Sequence, residues 1–351
     1  MTASISASLL AWYDVHARDL PWRLPPASAL PDDPAWPYRV WLSEVMLQQT
    51  TVAAVKPYFA KFTAIWPTVD ALAAASDEAV MAAWAGLGYY SRARNLLKCA
   101  RVVAERGGFP STEAELRQLP GLGDYTAAAI AAIAFGQRAV VVDANVERVV
   151  ARLFAIDEPL PKARKAIRAA ADTITPDQRS GDFAQALMDL GSHICTSRTP
   201  RCLLCPLADA CEGRKAGEPE RLPVKPAKKA VPERRGAAFW ITRPAPSGAG
   251  AEVWLVTRPS SGMLGGMRAL PDDGWTARAD GSGEAPIAGE WRSCGAVRHG
   301  FTHAQLTLQV LACETSTQPE GEGLWWPVSQ IGEAGLATLF GKAAQLALAA
   351  A

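Results

Sequence analysis

Apolar positions recur at helical spacing through the first two hundred residues and alternate with polar positions after residue 236. A short amphipathic helix that carries Leu9 and Tyr13 opens the chain. From Tyr38 a longer helix places positions 41, 45, 48, 52 and 55 on one face, and Pro57 marks the start of the next helix. Residues 146–192 are expected to be helical throughout. The first part of the chain is therefore predicted to be mostly α-helical.

The alternation typical of β-strands occupies residues 237–242, 252–257, 291–297 and 305–313, and residues 336–350 form a closing helix. Residues 214–235 are rich in Pro, Lys and Arg, contain few apolar residues and are expected to form a linker. The sequence thus predicts a mostly helical domain over residues 1–213 and an α/β domain over residues 236–351.

The composition is ordinary for a soluble globular protein, with 351 residues, 49% of them hydrophobic and 20% charged. The net charge of +1 excludes bulk basicity as a source of nucleic-acid affinity, so DNA binding would need local patches. The sequence contains neither a secretory signal nor an apolar run of the about 18 residues that a membrane span needs. We therefore expect a cytoplasmic protein whose cysteines are reduced or metal-bound.

Residues 112–126 have the pattern of a helix, a tight glycine turn and a second helix. Thr112 and Glu115 form a capping box for the first helix. Gly121 ends that helix, and Gly123 allows the backbone to turn before the next one. The exposed N–H groups at the start of the second helix are predicted to bind a phosphate.

Asp143 follows a run of valines at residues 140–142, where the next helix should begin. The helix dipole favours an anion at that position. Asp143 is therefore a plain N-cap, a carboxylate with a chemical role, or both, since the two roles are compatible.

Glu44 lies one helical turn from Trp41 and Gln48, at the edge of an apolar face. The simplest interpretation is an ordinary boundary carboxylate. Its Val, Met and Leu neighbours instead predict a desolvated carboxyl, whose raised pKa would let it keep a proton near neutral pH.

The loop at residues 86–90 reads Gly-Leu-Gly-Tyr-Tyr and is followed by Arg92 and Arg94. Leu87 and Tyr89 beside arginines suit insertion into a stack of bases. The alternative is that the aromatic side chains of the loop are buried.

Four cysteines form a candidate metal site with the spacing Cys195-x6-Cys202-x2-Cys205-x5-Cys211. Zinc sites usually combine two CxxC-like pairs, whereas this set has one pair and long, unequal outer spacings. The pattern favours an iron–sulfur cluster.

In these motifs the chain resembles the MutY-type adenine DNA glycosylases of the helix-hairpin-helix superfamily along nearly its whole length. The resemblance is carried by residues 20–22 (Leu-Pro-Trp), 41–50 (Trp-Leu-Ser-Glu-Val-Met-Leu-Gln-Gln-Thr), 86–90, 119–123, 143–146 (Asp-Ala-Asn-Val) and the four-cysteine loop.

The resemblance implies two helical lobes with a DNA cleft between them, one over residues 38–137 and one formed by the N-terminus with residues 138–213. It also implies a Nudix-like C-terminal domain that reads 8-oxoguanine, and a [4Fe–4S] cluster. The implied substrate is double-stranded DNA with adenine opposite 8-oxoguanine or guanine. We expect a nucleoid-associated monomer without membrane contact, and the linker is a candidate contact site for repair proteins.

The family's reaction needs an acid that protonates adenine N7 and a carboxylate that stabilises an oxocarbenium-like sugar. Glu44 fits the acid and Asp143 the stabiliser. By resemblance, Asn145 hydrogen-bonds in the same site and Tyr125 assists at the sugar. Endonuclease III-like relatives have a Lys at the position of Tyr125, and a phenol cannot form their Schiff base. A monofunctional glycosylase without efficient strand cleavage is therefore predicted.

The target base must leave the helical stack, and the resemblance assigns residues to base and DNA recognition. They are Trp22, Arg23, Gln48, Gln49, Thr50, Leu87, Tyr89, Gly121, Gly123, Asp189, Thr302 and His303.

The C-terminal domain departs from the family in two loops. Thr302 replaces the Ser of the family's Phe-Ser-His loop and keeps a hydroxyl, so recognition of 8-oxoguanine is expected to survive. Ala269 and Leu270 stand where the family tends to have acidic and aromatic residues. Because no Nudix hydrolase box follows Gly266, a binding module without pyrophosphatase activity is predicted.

Two other functions fit part of the pattern. A related glycosylase for thymine or uracil would share the hairpin and the cluster, but the double glutamine at residues 48–49 and the appended domain argue against it. A non-catalytic DNA-binding or redox-sensing protein would use the cluster as its signal, and the presence of both carboxylates counts against it.

Overall fold

The structure is a computed structural model that describes residues 2–226, 230–246, 248, 250–259, 262–301 and 303–350. The chain divides into two compact units. The first contains Met1–Ser76 and Arg94–Lys228, and the second contains Asp77–Ala93 and Lys229–Ala351. The segment Asp77–Ala93 therefore belongs with the C-terminal part of the chain, a grouping that its sequence position does not suggest.

Helices dominate the chain up to residue 215. They are α1 (Thr2–His16), α2 (Ala35–Leu47), α3 (Val52–Ile65), α4 (Val69–Ala73), α5 (Asp77–Trp84), α6 (Tyr90–Glu105), α7 (Glu113–Leu116), α8 (Asp124–Phe135), α9 (Ala144–Leu153), α10 (Arg164–Ile174), α11 (Ser180–His193) and α12 (Glu212–Lys215). No helix in the described part of the chain is long and apolar enough to cross a membrane.

Helix α8 lies at the centre of the first unit, where α2, α7 and α11 pack around it. Residues 126–134 of α8 are all buried and almost all Ala or Ile, so neighbouring backbones can approach closely. A Cβ added at Gly181 of α11 would come within 2.5 Å of the Ala132 carbonyl oxygen. The small side chains of α8 thus let the helices that carry the candidate site lie close together.

The prediction of one helix from Tyr38 to residue 55 is wrong. Helix α2 ends at Leu47, and Gln49 adopts a left-handed backbone conformation with φ +57°. Helix α3 starts afresh because the Thr51 side chain caps it by accepting from the Ala54 N–H, and Pro57 lies inside α3 rather than before it. Apolar periodicity continued across the break, so periodicity alone did not reveal it.

The expectation of unbroken helix over residues 146–192 is also wrong. Three separate helices, α9, α10 and α11, occupy this stretch. Pro159 and Pro161 lie in the first interruption, where Pro cannot supply a helical N–H. Ala155, just after α9, has a left-handed backbone with φ +50°, and Arg179, with φ +58°, is the N-cap at which α11 begins.

The second unit contains a six-stranded sheet in the order β3-β2-β1-β5-β4, with β6 paired to β2. Strands β1 and β5 run parallel, and the other pairs are antiparallel. The strands are β1 (Glu233–Pro244), β2 (Ala251–Thr257), β3 (Arg268–Ala269), β4 (Arg292–Gly300), β5 (Gln305–Glu314) and β6 (Gly323–Pro327).

Helix α13 (Thr338–Ala349) packs on strands β1, β4 and β5 and closes the core of this sheet. The four predicted strands and the terminal helix are all present, and the predicted fold class of a helical part followed by an α/β domain is confirmed. The sequence reading missed β3 and β6, which are short.

Part of the predicted linker is ordered on the first unit. The Leu160 N–H donates to the Val224 carbonyl at 2.9 Å, and Leu222 is buried. Strand β1 already begins at Glu233. Residues 214–235 are therefore not a contact-free linker despite their low apolar content, because Leu222 and Val224 contact the first unit.

Candidate active site

Glu44 and Tyr125 meet in the first unit, although helices α2 and α8 carry them. The Tyr125 hydroxyl donates a hydrogen bond of 2.7 Å to Oε2 of Glu44. Glu44 is only 6% exposed, so the interpretation as an exposed boundary carboxylate is wrong.

Burial raises the pKa of Glu44 above its ordinary value. The Tyr125 hydrogen bond and the charge of Arg23 oppose that rise, whereas the charge of Asp143 adds to it. Burial likewise raises the pKa of the Tyr125 phenol well above its ordinary value, so Tyr125 is a neutral donor at physiological pH. The site thus holds a carboxyl group that favours its protonated form.

Asp143 is the N-cap of helix α9, as the sequence predicted. Its Oδ1 accepts from the backbone N–H groups of Asn145 and Val146 at 2.9 and 2.7 Å. Its Oδ2 accepts from the Asn145 side-chain amide at 2.9 Å. Three N–H donors and the positive end of the helix dipole stabilise a carboxylate anion at this position.

Arg148 lies behind Asn145 and was not singled out from the sequence. Its Nη2 donates to Oδ1 of Asn145 at 2.9 Å and to the Gly191 carbonyl at 2.6 Å, and its Nε donates to the Cys195 carbonyl at 2.7 Å. A Cβ at Gly191 would come within 2.6 Å of the Asn145 Cβ. Helix α9 therefore ties the carboxylate of Asp143 to the start of the cysteine loop.

The predicted recognition residues Arg23 and Asp189 form a buried ion pair. Nη1 of Arg23 lies 2.8 Å from one Asp189 oxygen, and Nε of Arg18 lies 2.6 Å from the other. The Asp189 side chain is 1% exposed, so both of its oxygens are committed to arginines. Arg18 has no local sequence pattern that would have revealed it.

Trp22, another predicted recognition residue, is 4% exposed and packs edge-on against Phe59.

The segment between α2 and α3 carries Gln48, Gln49 and Thr50. Nε2 of Gln48 donates to the Thr126 hydroxyl at 3.1 Å, and the Thr50 hydroxyl donates to the Gln48 carbonyl at 3.2 Å. Gln49 is exposed at the left-handed turn. The three residues predicted to approach the base opposite the target thus lie together, with Gln49 at the tip.

The predicted hairpin is present. Thr112 caps α7 by accepting from the Glu115 N–H, and its hydroxyl donates to the Glu115 carboxylate at 2.6 Å. Gly121 has φ +77°, and Gly123 is the N-cap of α8. Both glycines are accessible at the surface, which leaves the N–H groups at the start of α8 free of covering side chains, as the seat for a phosphate requires.

Cys195, Cys202, Cys205 and Cys211 line a single small cavity. Nη1 of Arg152 lies 3.3 Å from the Cys195 sulfur and 2.6 Å from the Thr196 carbonyl oxygen, so it braces the loop from inside. Among the described residues, no three His, Cys, Asp or Glu side chains are arranged to hold a single metal ion. The four cysteines predicted to bind a metal cluster thus lie together in the fold.

In the second unit, Tyr89 forms the tip of the loop at residues 86–90 and is 50% exposed, whereas Leu87 is 7% exposed. The alternative that the loop aromatics are buried is therefore wrong for Tyr89, whereas Tyr90 is partly buried. Thr302 and His303 were also predicted to recognise the base, and Thr302 lies outside the described residues. His303 is exposed beside it.

Comparison with known proteins supplies the family. Residues 42–176 match the model of the HhH-GPD superfamily of base excision DNA repair proteins, and residues 247–346 match the NUDIX domain. The chain is 38% identical to human adenine DNA glycosylase over 88% of this chain and 67% of the human protein. It is 42% identical to the adenine DNA glycosylase of Mycolicibacterium smegmatis over 60% of this chain and 70% of that protein.

The chain belongs to the adenine DNA glycosylase family. It is therefore a DNA glycosylase of base excision repair, and DNA is the molecule on which it acts. The helical part is also similar to the structure of a thermostable thymine-DNA glycosylase, with a TM-score of 0.54 and 29% identity over 61% of this chain and 97% of that one. That likeness covers less of the glycosylase than the likeness to human adenine DNA glycosylase, which extends into the NUDIX domain.

Proposed function

We propose that this glycosylase removes adenine paired with 8-oxoguanine or guanine, by base flipping and acid-assisted cleavage of the N-glycosidic bond. The observation that carries the proposal is the buried Glu44 carboxyl, held by Tyr125 at 2.7 Å with the charge of Asp143 close enough to raise its pKa. One carboxylic acid beside one stabilised carboxylate is the pair that this chemistry needs.

Glu44 acts as the general acid. Its raised pKa keeps the proton on the carboxyl until adenine N7 takes it, after which the bond between C1′ and N9 breaks and adenine leaves as a neutral base. The hydrogen bond from Tyr125 fixes one carboxyl oxygen, so the proton is presented from the other oxygen. Water then adds to C1′ and gives up a proton to the Glu44 carboxylate, which completes the hydrolysis and restores the acid.

Asp143 stabilises the positive charge that develops on the sugar as the bond breaks. Its three N–H contacts hold the carboxylate in place before the reaction, so no reorganisation is needed when the charge appears. Asn145 contributes two of those contacts and is itself held by Arg148 at 2.9 Å.

The enzyme is monofunctional in this proposal. Strand cleavage by a lyase route needs an amine that forms an imine with the sugar, and the hairpin helix supplies the phenol of Tyr125 instead. The phenol is committed to Glu44 and stays protonated because burial raises its pKa.

Recognition of the opposite base falls to two surfaces. Gln49, which is exposed, and Thr50 lie in the turn after α2, and His303, which is exposed, follows β4; Thr302 is assigned with it from the sequence alone. The ring of Phe301, which precedes these two residues in the chain, lies 5.8 Å from the ring of Trp275. These assignments rest on the family resemblance, on the exposure of Gln49 and on that of His303.

The four cysteines are proposed to hold a [4Fe–4S] cluster. The four cysteines line one cavity, and their single CxxC pair with long, unequal outer spacings is less typical of zinc than of a cluster in which each cysteine would bind one iron atom. The four cysteines would hold the cluster, and Arg152, whose Nη1 lies 3.3 Å from the Cys195 sulfur, would donate a hydrogen bond to that ligand. The cytoplasmic location and the monomeric state stay predictions.

The cluster is tested on the purified protein by iron and labile-sulfide analysis and by absorbance. We expect about four iron atoms per chain. Cys205→Ser should lose most of the iron, whereas Cys313→Ala, in the sheet of the second unit, should keep it. Stoichiometric zinc without sulfide would overturn the assignment.

The function is tested by single-turnover release of adenine from duplexes with adenine opposite 8-oxoguanine, guanine or thymine. Fast release from the first duplex, or from the first two, without direct strand scission is expected. Glu44→Gln should lose activity by about 10²–10⁴-fold. Glu105→Gln, an exposed carboxyl at the end of α6, is the matched control and should retain it. DNA binding without release from any duplex would contradict the proposal.

A further inference from the structure

The segment Asp77–Ala93 lies in the same compact unit as the C-terminal domain, and Tyr90 joins the two. Tyr90 packs against the hydrophobic core cluster of the sheet, which includes Leu308 and Phe340. The Tyr90 hydroxyl also accepts the backbone N–H of Gly86 at 3.3 Å. One side chain therefore closes the loop at residues 86–90 and docks it on the C-terminal core.

The loop has a conformation that an isolated peptide would not favour. Gly86 and Gly88 have φ +98° and φ +75°, which glycine accepts. Tyr89 has φ +50°, a left-handed backbone that is strained for an aromatic residue, and its side chain is half exposed. Such strain persists only where surrounding contacts impose it.

Arg92 supplies those contacts. Its guanidinium lies 5.2 Å from the centre of the Tyr89 ring and 5.5 Å from that of the Trp84 ring. Its Nη2 donates to the carbonyls of Leu87 and Gly88 at 3.5 and 3.4 Å. The Trp84 indole donates to the same Gly88 carbonyl at 2.9 Å. Burial lowers the pKa of Arg92 to about 10, so it remains charged at neutral pH.

We propose that Arg92 and Tyr90 are positioning residues that hold Tyr89 as a wedge formed before DNA binds, and that the C-terminal domain is part of this support. The inference rests on the insertion of Tyr89 into the base stack that the family resemblance assigns. A wedge that is already ordered does not consume binding free energy when it enters the duplex. Without Arg92 or Tyr90 the loop at residues 86–90 relaxes. The free energy of ordering the loop again then adds to the free energy of base flipping.

The test measures base flipping directly. The full-length protein carries Glu44→Gln to prevent cleavage, and the duplex has 2-aminopurine at the target position opposite 8-oxoguanine. Fluorescence rises when this base leaves the stack. Arg92→Met and Tyr90→Ala are expected to reduce the flipping equilibrium about tenfold, which corresponds to about 1.4 kcal/mol. Arg106→Met removes an exposed arginine just after α6 and should leave flipping unchanged.

Conservative variants separate positioning from general instability. Arg92→Lys keeps the charge but lacks the planar face and the forked donors, so its flipping defect should approach that of Arg92→Met. Tyr90→Phe keeps the packing of the ring and loses the hydroxyl that accepts from Gly86, so its defect should be smaller than that of Tyr90→Ala. Melting temperatures identify any variant that does not fold. If Arg92→Met or Tyr90→Ala does not fold, the flipping equilibrium of Arg92→Lys or Tyr90→Phe tests the positioning role in its place.

The outcomes distinguish this inference from the proposed function. Normal flipping in the folded Arg92 and Tyr90 variants, together with defective flipping in Tyr89→Ala, would overturn the positioning role alone. Normal flipping in Tyr89→Ala would overturn the wedge itself. Defects in all three variants, with a normal Arg106→Met control, are the expected result.

Discussion

The hydroxyl of Tyr125 donates a 2.7 Å hydrogen bond to the carboxyl of Glu44, across 81 positions of sequence. The contact joins the first turn of α8 to the last turn of α2. The contact places the neutral Tyr125 hydroxyl against a buried carboxyl. Glu44, the proposed general acid, and Tyr125, which stands at the position of the lyase lysine, are therefore directly hydrogen-bonded. The chemistry of either residue therefore depends on the other.

Replacement of Tyr125 by Phe should change the pH dependence of base release. The hydrogen bond favours the ionised form of Glu44, so its loss raises the pKa of Glu44 further. Release needs the protonated acid and falls as pH rises through that pKa. The alkaline limb of the single-turnover profile should therefore move to higher pH in Tyr125→Phe. A limb that moves to lower pH would contradict the role of the contact.

The burial of Glu44 should also cost stability, and Glu44→Gln should relieve that cost. The folded-state pKa of Glu44 is raised above its ordinary value of 4.5, so the folded protein binds more protons than the unfolded chain between the two values. Stability therefore falls as pH rises through this window.

We expect the melting temperature of Glu44→Gln to exceed that of the wild type, by a difference that grows as pH rises above about 4.5 and levels off above the raised pKa of Glu44. Glu105→Gln, at an exposed position, should show no such trend. A difference that is constant with pH would mean that ionisation of Glu44 does not affect folding.

Asp143 combines a structural and a chemical role, and two substitutions should separate them. Asn is also a good N-cap, so Asp143→Asn should change the free energy of unfolding little, whereas Asp143→Ala should lose roughly 0.5–2 kcal/mol. Both variants lose the negative charge, and adenine release should fall on the order of a hundredfold or more in each. Calorimetry and single-turnover kinetics measure the two effects. Near-normal release by a folded Asp143→Asn would show that the charge is not needed.

The sequence was informative where chemistry depends on local pattern. Glu44 among apolar neighbours, Asp143 at a helix start and the spaced cysteines could each be recognised from a few adjacent residues. Arg18 and Arg148 could not, because their partners lie far away in the chain. Arg18 reaches Asp189 across 171 positions, and Arg148 reaches the Cys195 carbonyl across 47. The helix break at Gln49 was missed because the apolar period continued through it.

The hairpin offers a prediction with its own control, because its two glycines have different backbones. Gly121 has φ +77°, and an added Cβ would come within 2.8 Å of the Asn95 Cβ. Gly123 has φ −89°, and an added Cβ there would meet nothing within 4 Å. Ala at position 121 must therefore adopt a strained left-handed backbone and displace Asn95, at a cost of at least about 1–2 kcal/mol of folding free energy.

Ala at position 123 should cost much less, since only the modest preference of N-caps for Gly over Ala opposes it. The hairpin is expected to present backbone N–H groups to a phosphate, so Gly121→Ala should also weaken binding to undamaged duplex DNA and reduce its salt dependence. Denaturant unfolding and salt-titrated binding measure the two effects. Equal stability of the two variants would show that the turn at Gly121 can relax. Unchanged DNA binding by a destabilised Gly121→Ala would show that the hairpin does not bind the DNA backbone.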